Sequence, residues 1–264
     1  MDLLIGTFVL RPYVFGFVTA FLVAGALDLG WRRTLLFGAW VAPLAWLAEF
    51  TSTRTGFPFG LYHYTGHTVD QELFVADVPL MDCLSFTFLT YSAFCLARGA
   101  LRRRPTSPAA LALTSGLLMM LLDVVIDPIA VRGDEWFLGP IFAYADPGMY
   151  FGVPMSNFAG WLLLGALGVG GYLRWSGAVS RWRSGSTAGS TGGDASAGDR
   201  YGRRVWPGIA LYYAVLAFNL AVTGWIGEWL LLAIGAALHV ATASILWNVG
   251  LRPAARLGLE KQRA

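Results

Sequence analysis

The feature that most constrains this chain is a series of apolar blocks, each near 20 residues long, separated by polar or aromatic loops. A helix of about 20 apolar residues crosses the hydrocarbon core of a bilayer, whereas soluble helices show amphipathic stripes. Charged residues make up 13% of the chain, about half of the roughly 25% found in soluble domains. The sequence therefore predicts an all-α, polytopic membrane protein and excludes a soluble nucleic-acid binder.

Seven membrane spans account best for the apolar blocks. Prolines stand at or near the start of five of them, which suits the first helical turn, where the missing N–H would have no partner. Only a short break at 224–228 separates the last two blocks, so these blocks could count as one span. Six spans therefore remain an alternative. The predicted spans cover residues 12–28, 34–49, 79–97, 108–127, 154–173, 207–223 and 229–249.

The placement of arginine predicts the orientation. Sixteen of the nineteen basic residues fall in the loops after the first, third and fifth spans and in the C-terminal tail. Only Arg11, Arg54 and Arg132 fall on the other side. Short basic loops stay in the cytoplasm, so we expect the N-terminus outside, the C-terminus inside and a plasma-membrane location. An odd number of spans follows, which favours seven.

The whole chain, residues 1–264, is expected to form one integral membrane domain. The segment at about 176–204 is rich in Gly, Ser and Ala, which is typical of a flexible linker, here in the cytoplasm. Cys83 and Cys95 lie in one predicted span, about 18 Å apart along a helix, so no disulfide is expected between them.

Carboxylates stand at the ends of two spans, on the side predicted to be outside. Glu49 ends the second span, and Asp123 and Asp127 lie four residues apart at the end of the fourth, so both face the same way on a helix. A charge at the centre of a span costs about 2.5–3.5 kcal/mol and usually serves a function. Two neighbouring buried carboxyls are not expected to ionise together, so one should hold a proton and could act as a general acid.

Structural roles remain open for each of these acids. Asp127 precedes a proline and could cap a turn, and Asp123 could hydrogen-bond to a neighbouring helix. Glu49 could pair with Arg54. Asp82, three residues into the third span, could simply offset the positive end of a helix dipole.

The loops after both carboxylate clusters are denser in aromatic residues than a membrane-interface belt requires. Aromatic faces stabilise a desolvated cation by about 2 kcal/mol or more, so acids with an aromatic lining suit the protonation of an alkene. The two clusters are therefore predicted to form one site at one face of the membrane. Their aromatic residues are Phe57, Phe59, Tyr62, Tyr64, Trp136, Phe142, Tyr144, Tyr150, Phe151, Phe158 and Trp161.

Other polar residues give weaker indications. His63 and His67 lack further ligands at metal-binding spacing, so no metal site is expected. His239 is expected to hydrogen-bond to a neighbouring helix, and Asp28 is expected to pair with Arg32.

Four stretches, within residues 46–161, carry a resemblance to a known family. They are Glu49-x-x-x-Thr53-x-Thr55-Gly56-x-Pro58-Phe59-Gly60-x-Tyr62-x-Tyr64, Val78-Pro79-Leu80, Asp123-x-x-x-Asp127-Pro128 and Tyr150-Phe151-Gly152-Val153-Pro154-x-x-Asn157-Phe158-x-Gly160-Trp161. Ser52 stands where the pattern has glycine. In order and spacing they resemble the membrane carotenoid biosynthesis family that includes bacterial carotenoid 1,2-hydratases and haloarchaeal bisanhydrobacterioruberin hydratases.

The resemblance implies an enzyme that adds water across the terminal C1=C2 bond of an acyclic carotenoid end, without a cofactor. On this hypothesis Asp123 or Asp127 protonates C2, and Glu49 orients the water that attacks C1. Expected partners are the lipophilic carotenoid, the bilayer and other carotenoid biosynthesis enzymes. The residues expected to bind the substrate or hold the water are Tyr62, Tyr64, Asp82, Trp136, Tyr150, Asn157 and Trp161.

Two other functions remain open. A lycopene-type cyclase would use the same protonation and let an internal alkene capture the cation. A non-enzymatic, proton-coupled transporter would use the acids as a proton path, but it leaves the aromatic loops unexplained. A retinal-binding pump is excluded, because its Schiff base needs a lysine in the last span and the only lysine is Lys261 in the tail.

Overall fold

The computed structural model describes residues 2–102, 106–176 and 204–251, and within these ranges the chain is mostly helical. The predicted linker at 176–204 falls, beyond Ser176 and Arg204, outside the described residues. In chain order the helices are α1 Leu3–Leu10, α2 Pro12–Asp28, α3 Trp31–Thr55, α4 Leu80–Leu101, α5 Pro108–Ala130, α6 Met155–Trp175, α7 Trp206–Trp225 and α8 Trp229–Leu246. Short elements are β1 Tyr62–Tyr64, β2 Phe74–Val75, β3 Val78–Pro79, a 3-10 turn Gly133–Glu135, β4 Phe142–Tyr144 and a π-helical turn Trp247–Leu251.

Helix lengths and composition support a polytopic membrane protein. By these criteria α3, α4, α5, α7 and α8 with its π-helical turn can each cross a membrane. The pair α1 and α2, bent by 85° at Arg11, makes a sixth candidate. The glycine-rich α6 has 21 residues but is not among the candidates. All seven predicted blocks are helical, although α3 is longer than predicted because it continues from Glu49 to Thr55.

α4 is the central helix of the bundle. Ala93, Ala97 and Ala100 are completely buried in it, and α2, α3, α5, α6 and α7 pack around it. Small residues allow close approach of membrane helices. The contact between α5 and α6 depends on such small residues, because a Cβ added to Gly165 would lie 2.8 Å from the Cα of Gly116.

One end of the bundle is held by a buried ion pair between α2 and α4. The Arg98 guanidinium bonds both Asp28 carboxylate oxygens, with Nη1 to Oδ1 at 3.3 Å, and Tyr91 donates its hydroxyl to Asp28 at 3.2 Å. The predicted pair between Asp28 and Arg32 is wrong, because Arg32 is exposed on α3 whereas Arg98 faces Asp28 across the helix contact. Both cysteines are free and buried, as predicted.

Two antiparallel strand pairs cover the other end. In the β1–β4 pair Tyr62 lies opposite Tyr144, and in the β2–β3 pair Phe74 lies opposite Pro79. The first ladder extends by a bond from the N–H of Ala145 to the Leu61 carbonyl at 2.9 Å. It joins the aromatic loop after α3 to the aromatic loop after α5.

Candidate active site

A cavity of about 130 Å³ lies beneath the β1–β4 pair. Its walls come from the N-terminal parts of α2, α4 and α6 and the C-terminal parts of α3, α5 and α7, so these helices alternate in direction. Most of the lining is aromatic or aliphatic. The lining residues that carry a polar or charged group are Arg11, Tyr13, Glu49, Tyr62, Tyr64, Asp82, Ser85, Asp127, Trp136, Tyr144, Asn157, Trp161 and Asn219.

The local chain path at the end of α3 places its tyrosines over the cavity. Gly56 ends the helix in the left-handed conformation, with φ of 81°, and its N–H bonds the Ser52 carbonyl at 2.9 Å. The Ser52 hydroxyl in turn accepts the N–H of Phe59 at 3.0 Å. The loop then touches α6 at Gly160, where an added Cβ would lie 2.9 Å from the Pro58 carbonyl oxygen.

Glu49 is held by two phenols. It is 7% exposed, and its Oε2 accepts hydrogen bonds from the hydroxyls of Tyr62 and of Tyr64, the latter at 2.8 Å. The alternative pairing with Arg54 does not occur: that guanidinium bonds Asp77 at 3.3 Å on the surface. The two phenols fix the orientation of the Glu49 carboxyl at the cavity wall.

Asp123 and Asp127 lie on the same face of α5, as predicted, but only Asp127 lines the cavity. Tyr144 donates its hydroxyl to Asp127 Oδ2 at 3.3 Å. Asp123 is fully buried and accepts the side-chain N–H of Asn157 at 2.6 Å, which is the helix-to-helix hydrogen bond considered as its structural alternative. Among the described residues, Oδ1 of Asp123 has no hydrogen-bond partner.

Asp82 shares a buried cation with Glu72. Arg11, at the bend between α1 and α2, is 2% exposed and donates to Asp82 at 3.0 Å and to Glu72 at 2.8 Å. Sequence reasoning counted Arg11 only as a loop charge. Within the described lining, Arg11 is the single Lys or Arg facing the three carboxyls of Glu49, Asp82 and Asp127.

Of the eleven aromatic residues predicted for the site, seven line the cavity and four do not, namely Phe57, Tyr150, Phe151 and Phe158. Tyr62, Tyr64, Trp136 and Trp161 line it. Tyr150 does not: its hydroxyl donates to a main-chain carbonyl, that of Val124, at 3.3 Å. The structure therefore places Tyr150 outside the cavity, in contact with α5, and its expected contact with the substrate stays a prediction. Lining residues that sequence reasoning missed include Tyr13, Phe17, Phe218 and Asn219, on helices with no pattern to distinguish them.

The phenols on the two strands remain hydrogen-bond donors. Burial raises the pKa of the Tyr64 phenol well above its ordinary value, and the neighbouring Glu49 carboxyl raises it further. Burial likewise raises the pKa of Tyr144, with an added contribution from Asp127. Since an ordinary tyrosine has a pKa near 10, both hydroxyls stay protonated at neutral pH.

The histidines lie away from this cavity. His63 and His67 are exposed, and within the described ranges His, Cys, Asp and Glu side chains form no group of three that could hold a metal ion. His239 of α8 lies 2.9 Å from the Leu121 carbonyl of α5. Its predicted contact with a neighbouring helix is confirmed.

Comparisons with known proteins agree with the resemblance. The chain is similar to bisanhydrobacterioruberin hydratase from Haloarcula japonica, with 34% identity over 167 residues. This stretch covers 63% of the chain and 51% of that relative, so the chain spans about half the length of the curated relative it matches. No solved structure matches. A family model described as carotenoid biosynthesis protein matches residues 4–189. Because this match covers well over half of the chain, the chain belongs to the carotenoid biosynthesis protein family.

Proposed function

We propose that this protein hydrates an acyclic carotenoid, adding water across the terminal C1=C2 bond of an end group without a cofactor. The observation that carries the proposal is the cavity, where three carboxyls, those of Glu49, Asp82 and Asp127, face aromatic walls inside a helical membrane domain. An unactivated alkene adds water only after protonation. The site must therefore supply an acid, stabilise a cation and deliver water.

The aspartate pair supplies the acid. Asp127 faces the cavity and Asp123 lies one turn behind it, so a proton held by the pair passes from Asp127 to C2. Positive charge then develops at the tertiary carbon C1. The rings of Trp136 and Trp161 line the same space, and aromatic faces stabilise a desolvated cation by about 2 kcal/mol or more.

Glu49 receives the proton of the attacking water. Tyr62 and Tyr64 both donate to its Oε2, which leaves Oε1 to accept a hydrogen bond from water. The water oxygen bonds to C1, and its proton passes to Glu49 and then back to the aspartate pair. One turnover thus adds one water. Asn157, expected from the sequence to hold this water, donates to Asp123 and positions the pair.

The site belongs at the outer face of the plasma membrane. The alternating helix directions around the cavity and the arginine-rich loops support seven spans, with α1 and α2 counted as one and α6 included. In this topology the N-terminus is outside and the C-terminus is cytoplasmic. The chain forms one membrane domain.

The relative supports the reaction by its name, which describes a hydratase. The substrate is a carotenoid dissolved in the bilayer, and other carotenoid biosynthesis enzymes supply or consume it. The chain corresponds to only 51% of that relative, so the proposal depends on the cavity residues rather than on the name.

Expression in a bacterium that makes lycopene tests the proposal. Mass spectrometry of the pigments should show a gain of one or two waters. An unchanged mass with shifted retention and absorption would identify a cyclase instead. No change in hosts that make lycopene, γ-carotene or an acyclic C50 carotenoid would contradict the enzyme proposal and favour a transporter.

A further inference from the structure

If the substrate is a carotenoid, as the proposed function requires, the cavity is too small to hold the whole molecule. A cavity of roughly 150 Å³ holds one benzene molecule, and this one measures about 130 Å³. It can hold the end group whose double bond reacts. The long polyene chain of the same molecule must therefore leave through the cavity wall.

Hydrogen bonds and an ion pair close several sides of that wall. The β1–β4 pair covers the top. At the level of the cavity, α6 is tied to α5 by the hydrogen bond from Asn157 to Asp123 at 2.6 Å. The ion pair of Arg11 with Glu72, at 2.8 Å, fastens the bend between α1 and α2. A chain leaving on any of these sides would have to break hydrogen bonds or an ion pair.

Between α2 and α7 the closure consists of aromatic side chains, which we call the aromatic wall: Tyr13 and Phe17 of α2, Phe137 of the segment before β4 and Phe218 of α7. Tyr13 stacks on Phe218 with ring centroids 5.2 Å apart. Phe137 meets Tyr13 edge-on at 5.5 Å, and Phe17 meets Phe218 edge-on at 5.7 Å. No hydrogen bond or ion pair joins the described residues of α2 to those of α7. Phe17, Phe137 and Phe218 carry no polar group and can turn aside without breaking a polar contact, whereas the Tyr13 hydroxyl is hydrogen-bonded to Arg11.

The aromatic wall borders the cavity on one side and the protein surface on the other. Tyr13, Phe17 and Phe218 line the cavity, and none of the three is fully buried. Phe137 is 41% exposed at the surface of the bundle. The rings therefore stand between the cavity and the exposed surface at Phe137.

Small exposed residues continue from the aromatic wall along both helices. Gly16 and Ala20 follow Tyr13 and Phe17 by three residues, and Ala214 precedes Phe218 by four, so each lies on the same helix face as its ring. All three are exposed. We call this row of small exposed residues, which continues from the aromatic wall, the lane.

We propose that the aromatic wall is a lateral binding subsite for the polyene chain. The end group enters from the bilayer between α2 and α7, the stack of Tyr13 on Phe218 opens around it, and the chain stays between these rings and along the lane. The subsite takes a flat, conjugated, acyclic hydrocarbon that is narrow enough to pass between two rings.

Reversible crosslinking across the aromatic wall tests this. Tyr13→Cys and Phe218→Cys are combined in one variant and joined by a short bifunctional thiol reagent that a reductant cleaves. The matched control joins Phe8→Cys to Phe15→Cys. The native rings at those positions lie 5.1 Å apart, between α1 and α2, and neither lines the cavity. Binding of lycopene is followed by quenching of tryptophan fluorescence, and turnover by mass spectrometry.

Before crosslinking, the wall variant lacks both rings and should bind lycopene more weakly than the wild type. Relative to that level, the crosslink should lower both binding and turnover at least a further tenfold, and reductant should return both to the level before crosslinking. The crosslinked control should keep both. Equal binding and turnover before and after reduction of the wall variant would overturn the lateral subsite while leaving the hydratase proposal intact. If the wild-type protein binds lycopene but converts none of lycopene, γ-carotene and an acyclic C50 carotenoid, the proposed function fails, and the effect of the crosslink on binding still decides the subsite.

Discussion

At the scale of single residues, the aspartate pair carries the first chemical step. Asp127→Asn removes the cavity-facing acid, and Asp123→Asn removes its neighbour one turn behind. General acid catalysis contributes about 10²–10⁴-fold, so each variant should lose at least a hundredfold in hydration at unchanged membrane levels. Asp134→Asn, at an exposed loop acid, is the control and should keep full activity. Normal product from either buried-acid variant would remove that residue from the mechanism.

The phenols that hold Glu49 give a second test at this scale. Tyr64→Phe removes a 2.8 Å hydrogen bond to its carboxyl. A hydrogen bond to a charged group contributes about 1.5–3 kcal/mol, so the hydration rate should fall about ten- to a hundredfold. Tyr150→Phe is the matched control, since that hydroxyl bonds a main-chain carbonyl outside the cavity. Equal rates for the two variants, measured in purified membranes, would argue against this role for Glu49.

Much of this site could be predicted from the sequence, because its residues sit in short motifs. Glu49 with its tyrosines, and Asp123 with Asp127, stand out as charges at the ends of apolar spans. The burial of Arg11 could not be predicted, since a loop cation looks the same whether it meets water or a distant carboxylate. The position of Tyr150 outside the cavity could not be predicted for a related reason: a motif gives the position of a residue along the chain but not the direction of its side chain.

At the scale of elements, the β1–β4 pair holds protonated phenols against the cavity. Folding raises the pKa of Tyr64 and of Tyr144, whereas in the unfolded chain both titrate near pH 10. Above that pH the unfolded state loses protons that the folded state keeps, so the free energy of unfolding should fall as the pH rises further. Thermal unfolding in detergent between about pH 8 and 11 measures this.

The double variant Tyr64→Phe with Tyr144→Phe is the control for that measurement. It lacks both titrating groups, so its stability should fall less steeply above about pH 10 than that of the wild type. Identical slopes for the two proteins would show that these phenols do not set the alkaline limit.

The α5–α6 contact sets the position of the aspartate pair relative to Asn157. In Gly165→Ala the new methyl would lie 2.8 Å from the Cα of Gly116, so the helices must separate. Overpacking of this kind costs about 1–3 kcal/mol, and hydration should fall as the bond between Asp123 and Asn157 lengthens. Gly170→Ala has ordinary contacts only, the nearest at 3.7 Å, and should match the wild type in unfolding temperature and in rate. Equal stability of the two alanine variants would contradict the close packing.

At the scale of the whole molecule, the two ends of the bundle have separate tasks. The cavity lies at one end, and the pair of Asp28 with Arg98 fastens α2 to α4 at the other. Both side chains are about 5% exposed or less. Removal of one partner of a buried ion pair costs about 3–5 kcal/mol, so Arg98→Ala should lower the unfolding temperature strongly. The double variant Arg98→Ala with Asp28→Asn should recover part of the lost unfolding temperature. An unchanged unfolding temperature for Arg98→Ala would contradict this role.

The overall architecture follows from the sequence more readily than its internal contacts do. Apolar block length predicts the helices, because the bilayer fixes how long a span must be. The length of a span does not show which helices touch. Asp28 pairs with Arg98 rather than with the nearby Arg32, and Tyr13 stacks on Phe218, which lies about 200 residues further along the chain. The bend at Arg11 also escaped prediction, since it depends on partners in a distant loop.

The most direct test of acid-initiated hydration is isotope incorporation. Membranes containing the protein are incubated with its acyclic carotenoid in water labelled with deuterium and heavy oxygen. Protonation at C2 and attack by water at C1 predict one carbon-bound deuterium and one heavy oxygen for each end converted. Deuterium without heavy oxygen would mean that an internal alkene captures the cation, as in a cyclase. A product that carries neither label would contradict both the acid and the water that the cavity is proposed to supply.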